Sequence, residues 1–350
     1  MQKYRNRLIA GFAIAILIYA VYLFIVETRT DGGAFRHIAA FPMWLFAPLV
    51  ILQVLAFFFR WVEWHYYLGV IGAQDKISVF DSMVLQLAGF TMAVSPGKAG
   101  ELLKSVVLKA KTGTEISKSA PVVLAERVVD GIAVILMMAL AVAFGGDATS
   151  LQDWQRNSIL ASAGILITGL IVVQIKPLAY FFLNVLPHIP LVRRLHGGLT
   201  DFYESSREVF HLRHVVPMVG VGFGVYGCSA LTMFLILVGF GQEPSVSLFL
   251  QSTIIAGVSA AVGALSGSPN GAGVTEGSIQ WILMQSFGYG AGLALAAGLL
   301  HGLFNRWLRV FMGMIAGFVF RRRLFVPAFE AELAAVEQEQ HVDPQPATVA

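Results

Sequence analysis

An all-α polytopic membrane protein, with six spanning helices plus two re-entrant helical hairpins in an inverted-topology repeat, is the fold this sequence predicts. Three observations predict it. The 350 residues are 57% hydrophobic and only 13% charged, with a mean hydropathy of +0.72, far from the balance of a soluble domain. Apolar runs long enough to cross a hydrocarbon core recur along the whole chain. Two of these runs are interrupted by near-copies of one phrase, Ser95-Pro96-Gly97-Lys98-Ala99-Gly100-Glu101 and Ser268-Pro269-Asn270-Gly271-Ala272-Gly273-Val274-Thr275-Glu276. Proline and glycine there break the helix, and backbone bared at membrane depth must be buried in protein or face a water-filled cavity. A pair of such breaks in corresponding places points to a transport site at a repeat interface.

Taken in order, Lys3, Arg5 and Arg7 precede a first apolar run at 8–26. The run is long enough to span, and Glu27-Thr28-Arg29 offers no small-residue cleavage site, so a retained helix is expected. Further spans fall at 41–59, 120–144, 157–175, 215–240 and 290–320, with broken segments at about 78–110 and 247–287. The basic residues place the broken segments. With a cytoplasmic N-terminus, Lys98, Lys104, Lys109, Lys111 and Lys118 fall inside, as do Lys176, Arg193, Arg194, Arg207, Arg213 and Arg321 to Arg323. The far side receives only Arg29, Arg36 and Arg156. That asymmetry requires each broken segment to enter and leave on one side. Each is therefore expected to be a re-entrant hairpin, the first dipping in from the cytoplasm and the second from outside, because three spans per half turn the second half over. Residues 1–145 form the first repeat and 146–323 the second, which also carries a cytoplasmic amphipathic helix at about 193–213. The tail, 324–350, is acidic and expected to be disordered. Both termini are then cytoplasmic, in a cell inner membrane.

Charged residues follow each hairpin: Glu126, Arg127 and Asp130 after the first, and Asn305, Arg306 and Arg309 after the second. A charge at the centre of a spanning helix costs about 2.5–3.5 kcal/mol on insertion scales, so these groups should face a cavity or one another. Internal salt bridges, Glu101 to Arg127 and Glu276 to Arg306, are one reading, and a binding site is the other. The helix that restarts after each break presents unsatisfied N–H groups and the positive end of its dipole, a ready place for an anion. With Lys98 and Lys104 beside the first restart and Arg306 and Arg309 near the second, a phosphate-bearing guest is expected. Topology alone accounts equally well for Lys98 and Lys104. Arg60, followed by Trp61, Glu63, Trp64, His65, Tyr66 and Tyr67, reads as a snorkelling arginine in the aromatic belt that ends the second span. His211 and His214 read as interfacial, and His301 as a hydrogen-bonded structural histidine. Cys228, the sole cysteine, excludes an intrachain disulfide and a cysteine-based zinc site. No catalytic, phosphate-loop or metal motif is present, and no cofactor, metal or nucleic-acid partner is expected.

The first-half Pro96-Gly97 with Gly100-Glu101 and Lys104, the Glu126-Arg127 with Asp130 about 25 positions on, and the second-half Pro269, Gly271, Gly273 and Glu276 resemble the flippase-like family. That family comprises the transmembrane region of lysylphosphatidylglycerol synthases and stand-alone relatives, and the resemblance spans most of 5–323. Lys104 stands where the pattern leads one to expect arginine, and the second motif is two residues longer than the first. Only about 27 residues follow Arg323, so the soluble aminoacyl-transfer domain is not expected. The resemblance implies a flippase that moves a lipid with an anionic head group between leaflets: a phospholipid, an aminoacyl phospholipid or a polyprenyl-phosphate glycolipid. Lys98, Lys104, Arg127, Arg306 and Arg309 would contact phosphate, with Glu101, Glu126, Asp130, Glu276 and Asn305 orienting them. No enzymatic step is expected. The alternatives are a secondary transporter of a small soluble anion, and a membrane-embedded lipid-modifying transferase with Glu101 or Glu126 as base. A lipid-synthesising or glycosyltransferase partner and an oligomeric state are both compatible with the Gly-rich chain.

Overall fold

The computed structural model of the protein describes residues 17, 21, 33–92, 103–146, 151–174 and 207–324. Several expectations lie outside these residues: all but Leu17 and Val21 of the first span, the whole first break with Pro96, Gly97, Lys98, Gly100 and Glu101, most of the amphipathic helix at 193–213, and the tail beyond 324. Within them helices are the only regular structure.

Helix α1 (Gly33–Ala39) leads through a 3-10 turn, Met43–Leu45, into α2 (Phe46–Val70). There follow α3 (Val79–Met92), α4 (Leu103–Thr112), α5 (Ile116–Gly145) and α6 (Asp153–Gln174). The C-terminal part comprises α7 (Leu212–Gly239), α8 (Val246–Leu265), α9 (Val274–Phe287), α10 (Ala291–Gly302), α11 (Leu308–Val319) and α12 (Arg321–Leu324). A π-helical turn, Leu303–Trp307, joins α10 to α11 without a break. Among the described residues four helices are long and apolar enough to cross a membrane: Met43–Val70, Ile116–Gly145, Leu212–Gly239 and Val246–Leu265. Phe144, Leu265, Ile315 and Phe318 are among the large apolar side chains left on the outer surface, as a hydrocarbon environment permits.

One boundary differs from expectation. Helix α2 does not end at 59 but runs to Val70. Its buried residues, Leu49, Gln53, Ala56, Phe57, Arg60, Glu63, Trp64, Tyr67 and Leu68, recur every three or four positions, so one helical stripe continues straight through the polar residues. Arg60 therefore lies well inside the helix and is only 6% exposed, not a snorkelling residue at its end.

Helix α2 packs antiparallel to α7 along its length. Phe41, just ahead of α2, meets Phe240 just after α7 edge to face; Gln53 bonds Thr232 at 2.9 Å; Arg60 reaches Tyr226; and Tyr66 bonds His214 at 2.8 Å. This crossing separates two apolar clusters. One gathers Trp64, Tyr67 and Leu68 with Val107, Val129 and Val215; the other gathers Leu49, Met233 and Ile236 with Ile255, Ile279 and Ala294. The polar residues of α2 and α7 fall between them. Around this centre α3 packs on α11, α8 packs on α5, and α8 and α9 pack on each other as a helical pair.

The turn between α8 and α9 is the late motif. Pro269–Gly271 forms one 3-10 turn, with Asn270 at φ 51° and Gly273 at φ 78°. Gly273 supplies a backbone conformation that side chains with a Cβ rarely adopt. Helix α10 then lies hard against α9: a Cβ on Gly298 would sit 2.9 Å from the Glu276 carbonyl oxygen. Gly298→Val is expected to push α10 off α9 and lower stability by about 1–3 kcal/mol, read as a lower midpoint in thermal unfolding of the detergent-solubilised protein. An unchanged midpoint would show that the two helices are not held at this distance.

Candidate functional site

Charge gathers where the two apolar clusters meet. From α2 comes Arg60, whose Nη1 lies 2.5 Å from Asp130 Oδ1 on α5 and 3.7 Å from Glu63 Oε2 on its own helix. Arg127 reaches the other Asp130 oxygen at 3.1 Å from one turn before it. From α4 comes Lys104. Its Nζ donates to Glu126 Oε2 and Gln86 Oε1, both at 2.8 Å, and sits 4.2 Å from the Trp64 ring centre. Lys104 is 3% exposed, so it is no topology-setting loop lysine. With three further basic residues on the same short stretch, Lys109, Lys111 and Lys118, burial alone distinguishes it, and burial is set by packing on Trp64 and Glu126.

The C-terminal elements supply the rest. Arg306 forks onto Glu276, with Nη2 3.1 Å from Oε1 and Nη1 3.3 Å from Oε2, which is the pair the sequence suggested. Glu276 also accepts from the Gly273 backbone N–H at 2.9 Å, reaching back as the third residue of a capping box does. One of the donors at the α9 restart is thus taken by the chain's own carboxylate. Arg309 donates from Nε and Nη2 to Gln53 Oε1, at 3.0 and 2.8 Å, and from Nη2 to Asn305 Oδ1 at 2.7 Å. Asn305 and Arg306 lie in the π turn and Arg309 in the first turn of α11, a local widening of the helix of a kind frequent at functional sites. His301 bonds Ser229 at 3.2 Å through Nε2, while its buried Nδ1 has no hydrogen-bond partner.

A cavity of about 180 Å³ opens among these groups, lined by Arg60, Lys104, Arg127, Arg306 and Arg309. Asn270 and Asn305 also line it, so the described break contributes to its wall. The volume leaves room for several waters or a small polar group. Among the described residues five cations surround four carboxylates, Glu63, Glu126, Asp130 and Glu276. Arg309 makes the difference, because its described partners are neutral carbonyl oxygens. Walls of low dielectric focus such an imbalance into a positive potential.

Of the residues expected from sequence, the structure therefore unites Lys104, Glu126, Arg127, Asp130, Asn270, Glu276, Asn305, Arg306 and Arg309 around one cavity, while Lys98 and Glu101 are outside the described residues. Arg60, Glu63, Gln53 and Gln86 were not counted as site residues. Their signal was the three- and four-residue stripe of α2 and, for Gln86, its place on the buried stripe of α3 that also carries Ser82 and Gly89. His211 caps α7, accepting from the Arg213 backbone N–H at 3.2 Å.

An apolar helical bundle with a buried, cation-rich cavity between its N- and C-terminal elements defines a multi-span membrane protein. Residues 9–313 match the family described as the lysylphosphatidylglycerol synthase TM region, and the chain belongs to that family. A relative is the UPF0104 membrane protein PH1989 of Pyrococcus horikoshii, 25% identical over 297 residues, covering 77% of this chain and 85% of that one.

Removing one partner of a buried ion pair strands the other, at about 3–5 kcal/mol. Arg306→Met, which leaves Glu276 fully buried and uncompensated, is expected to lose that much stability in a denaturant titration in mixed micelles. The double variant Arg306→Met with Glu276→Gln should recover most of it, and equal losses in single and double variants would exclude the pair as a contributor.

Proposed function

We propose that the protein is a lipid translocase that carries a phosphate-bearing head group (of a phospholipid, an aminoacyl phospholipid or a polyprenyl-phosphate glycolipid) between leaflets of a cell inner membrane. The observation that carries this reading is the excess of cation in the cavity. A guanidinium whose hydrogen-bond partners among the described residues are neutral amide oxygens, beside three guanidiniums and an ammonium already paired, is a partner for an incoming anion. The lining is charged and polar, so acyl chains would remain outside, against the apolar outer faces. Membership in a family named for a lipid-modifying enzyme's membrane region agrees with a lipid guest.

The same reading includes six spans, with both termini cytoplasmic, and hairpins at 78–110 and 247–287 that enter from opposite sides. Packing supports an exchange of roles between halves: α3, the first arm of one hairpin, lies on α11, and α8, the first arm of the other, lies on α5. Phosphate would be met by Lys104, Arg127, Arg306 and Arg309, joined by Lys98. The carboxylates Glu101, Glu126, Asp130 and Glu276 would hold those cations in place and compete for them on release. Chemistry on the lipid forms no part of this proposal.

The test is head-group accessibility in proteoliposomes containing fluorescent phospholipids. Wild type is expected to exchange lipid between leaflets. Arg309→Ala, which leaves no carboxylate stranded, should slow exchange more than tenfold, and Arg127→Ala should abolish it, both with folding intact by size-exclusion profile. Wild-type rates in both variants would sink the assignment. Uptake of a soluble anion into the same vesicles without lipid exchange would favour a solute transporter instead, and a covalently altered lipid in detergent would favour a transferase.

A further inference from the structure

Both oxygens of Glu63 are buried without a hydrogen-bond partner, as are those of Asp130, but Asp130 has two guanidiniums close by and Glu63 has none nearer than 3.7 Å among the described residues. Glu63 is 0% exposed. Its nearest cation, Arg60, stands 3.7 Å away and is turned to Asp130 at 2.5 Å. Asp130 has a second guanidinium, that of Arg127, at 3.1 Å, and Glu126 has the Lys104 ammonium at 2.8 Å. Glu63 therefore has the weakest hold on positive charge of the three.

The titratable groups around it are these. On its own helix Arg60 and Tyr67 lie one turn to either side, with His65 and Tyr66 between Glu63 and Tyr67. Helix α5 brings Glu126, Arg127 and Asp130, whose charges together with that of Arg60 act on Glu63. Helix α4 brings Lys104, and α7 brings Tyr226 and His214, the latter bonded to Tyr66. On α3, Asp81 is engaged by Lys111 and Arg323, and on the α10–α11 side Arg306 and Arg309 are turned to Glu276 and Gln53. The Tyr67 hydroxyl, also buried, has no hydrogen-bond partner.

Among the described residues Arg60 is at once the only cation within ion-pair distance of Glu63 and a wall of the anion cavity. An anion that draws Arg60 toward itself removes the little countercharge Glu63 has and adds negative charge beside it. A buried carboxylate so stranded is far more stable as the neutral acid.

We propose that Glu63 is a proton-binding site linked to the anion cavity, so that an anion entering the cavity brings a proton onto the Glu63 carboxylate. The proton comes from solvent and forms an O–H bond on one Glu63 oxygen; no other bond changes. The inference rests on the reading of the cavity as an anion site. It gives that site a coupling ion: the anion-loaded state carries one more proton than the empty one, so a proton gradient biases which side loads and which unloads. The sign follows from linkage. The loaded state holds the extra proton, so anion affinity is greatest at low pH and falls as pH rises, by up to about tenfold per unit.

The experiment titrates the purified full-length protein in weakly buffered detergent with two probes. One is inorganic sulfate, whose charge is constant over the range used, and the other is dihexanoyl-phosphatidylglycerol, which carries the same acidic chemistry on a lipid. Proton uptake is read with a pH indicator, and affinity is measured across pH. Wild type is expected to take up about one proton per anion bound. Glu63→Gln, nearly isosteric and permanently neutral, should bind with the wild type's low-pH affinity, independent of pH and with no uptake. Uptake with sulfate marks a general anion site, and uptake with the lipid alone marks a head-group site; either supports the linkage. Binding to wild type with no proton uptake, or unchanged uptake in Glu63→Gln, overturns the linkage while leaving the anion site standing. Failure of both probes to bind overturns the anion site and the linkage with it. The wild-type measurement decides even if the variant does not fold.

Discussion

Arg60 is 6% exposed in the middle of an apolar helix, and the arrangement around it follows from what a buried guanidinium demands. It needs a carboxylate close enough to offset the loss of water, and Asp130 supplies one from α5. That contact fixes the rotation of α2 and α5 about their own axes. Once Asp130 faces inward, Glu126 one turn earlier faces inward too, and the same turn of α5 collects Lys104 from α4. The ion pairs are thus one construction: set Arg60, and the register of three helices follows. On the other side Tyr226 and the Gln53–Thr232 bond carry the polar seam into α7, so that the apolar clusters above and below are kept apart by groups that must find partners with each other.

Much of this was written locally in the chain. Proline and glycine mark breaks whatever their surroundings, which is why the helices bounding the second break, ending at Leu265 and restarting at Val274, fall where the sequence placed them. The Glu276–Arg306 pair was also legible, since Glu276 begins one helix and Arg306 lies in the next. What could not be read was partnership across long stretches of chain. Nothing near Asp130 in sequence says that one of its two counterions, Arg60, is seventy positions away, and a rule that ends a span at the first arginine will always lose the residues beyond it. The stripe of buried positions in α2 was the missed clue: Arg60, Glu63, Trp64 and Tyr67 continue the spacing set by Gln53, Ala56 and Phe57. The π turn at Leu303–Trp307 left no mark in the residue types at all, because it is a response of the helix to packing, not a propensity.

On the proposed reading, the polar cavity and the apolar outer faces would divide a lipid guest into two parts that never need to meet the same solvent. Polar atoms find amide and guanidinium donors inside, and hydrocarbon finds side chains such as Phe144, Ile315 and Phe318 outside. In that division the protein differs from a soluble lipid carrier, which must enclose both parts and so needs a far larger interior.

The two ion pairs that tie a restarting arm to the helix after it have opposite polarity. Lys104 on α4 meets Glu126 on α5, whereas Glu276 on α9 meets Arg306 at the α10–α11 junction. In a chain that uses nearly the same breaking phrase twice, and whose arms α3 and α8 both lie across elements of the opposite part, mispairing during assembly is a real hazard. The reversed signs act as an address. An exchange of arms would set Glu276 against Glu126 and Lys104 against Arg306, like against like in a medium that screens neither, and the misassembled chain would be driven apart before its apolar faces could close over the mistake.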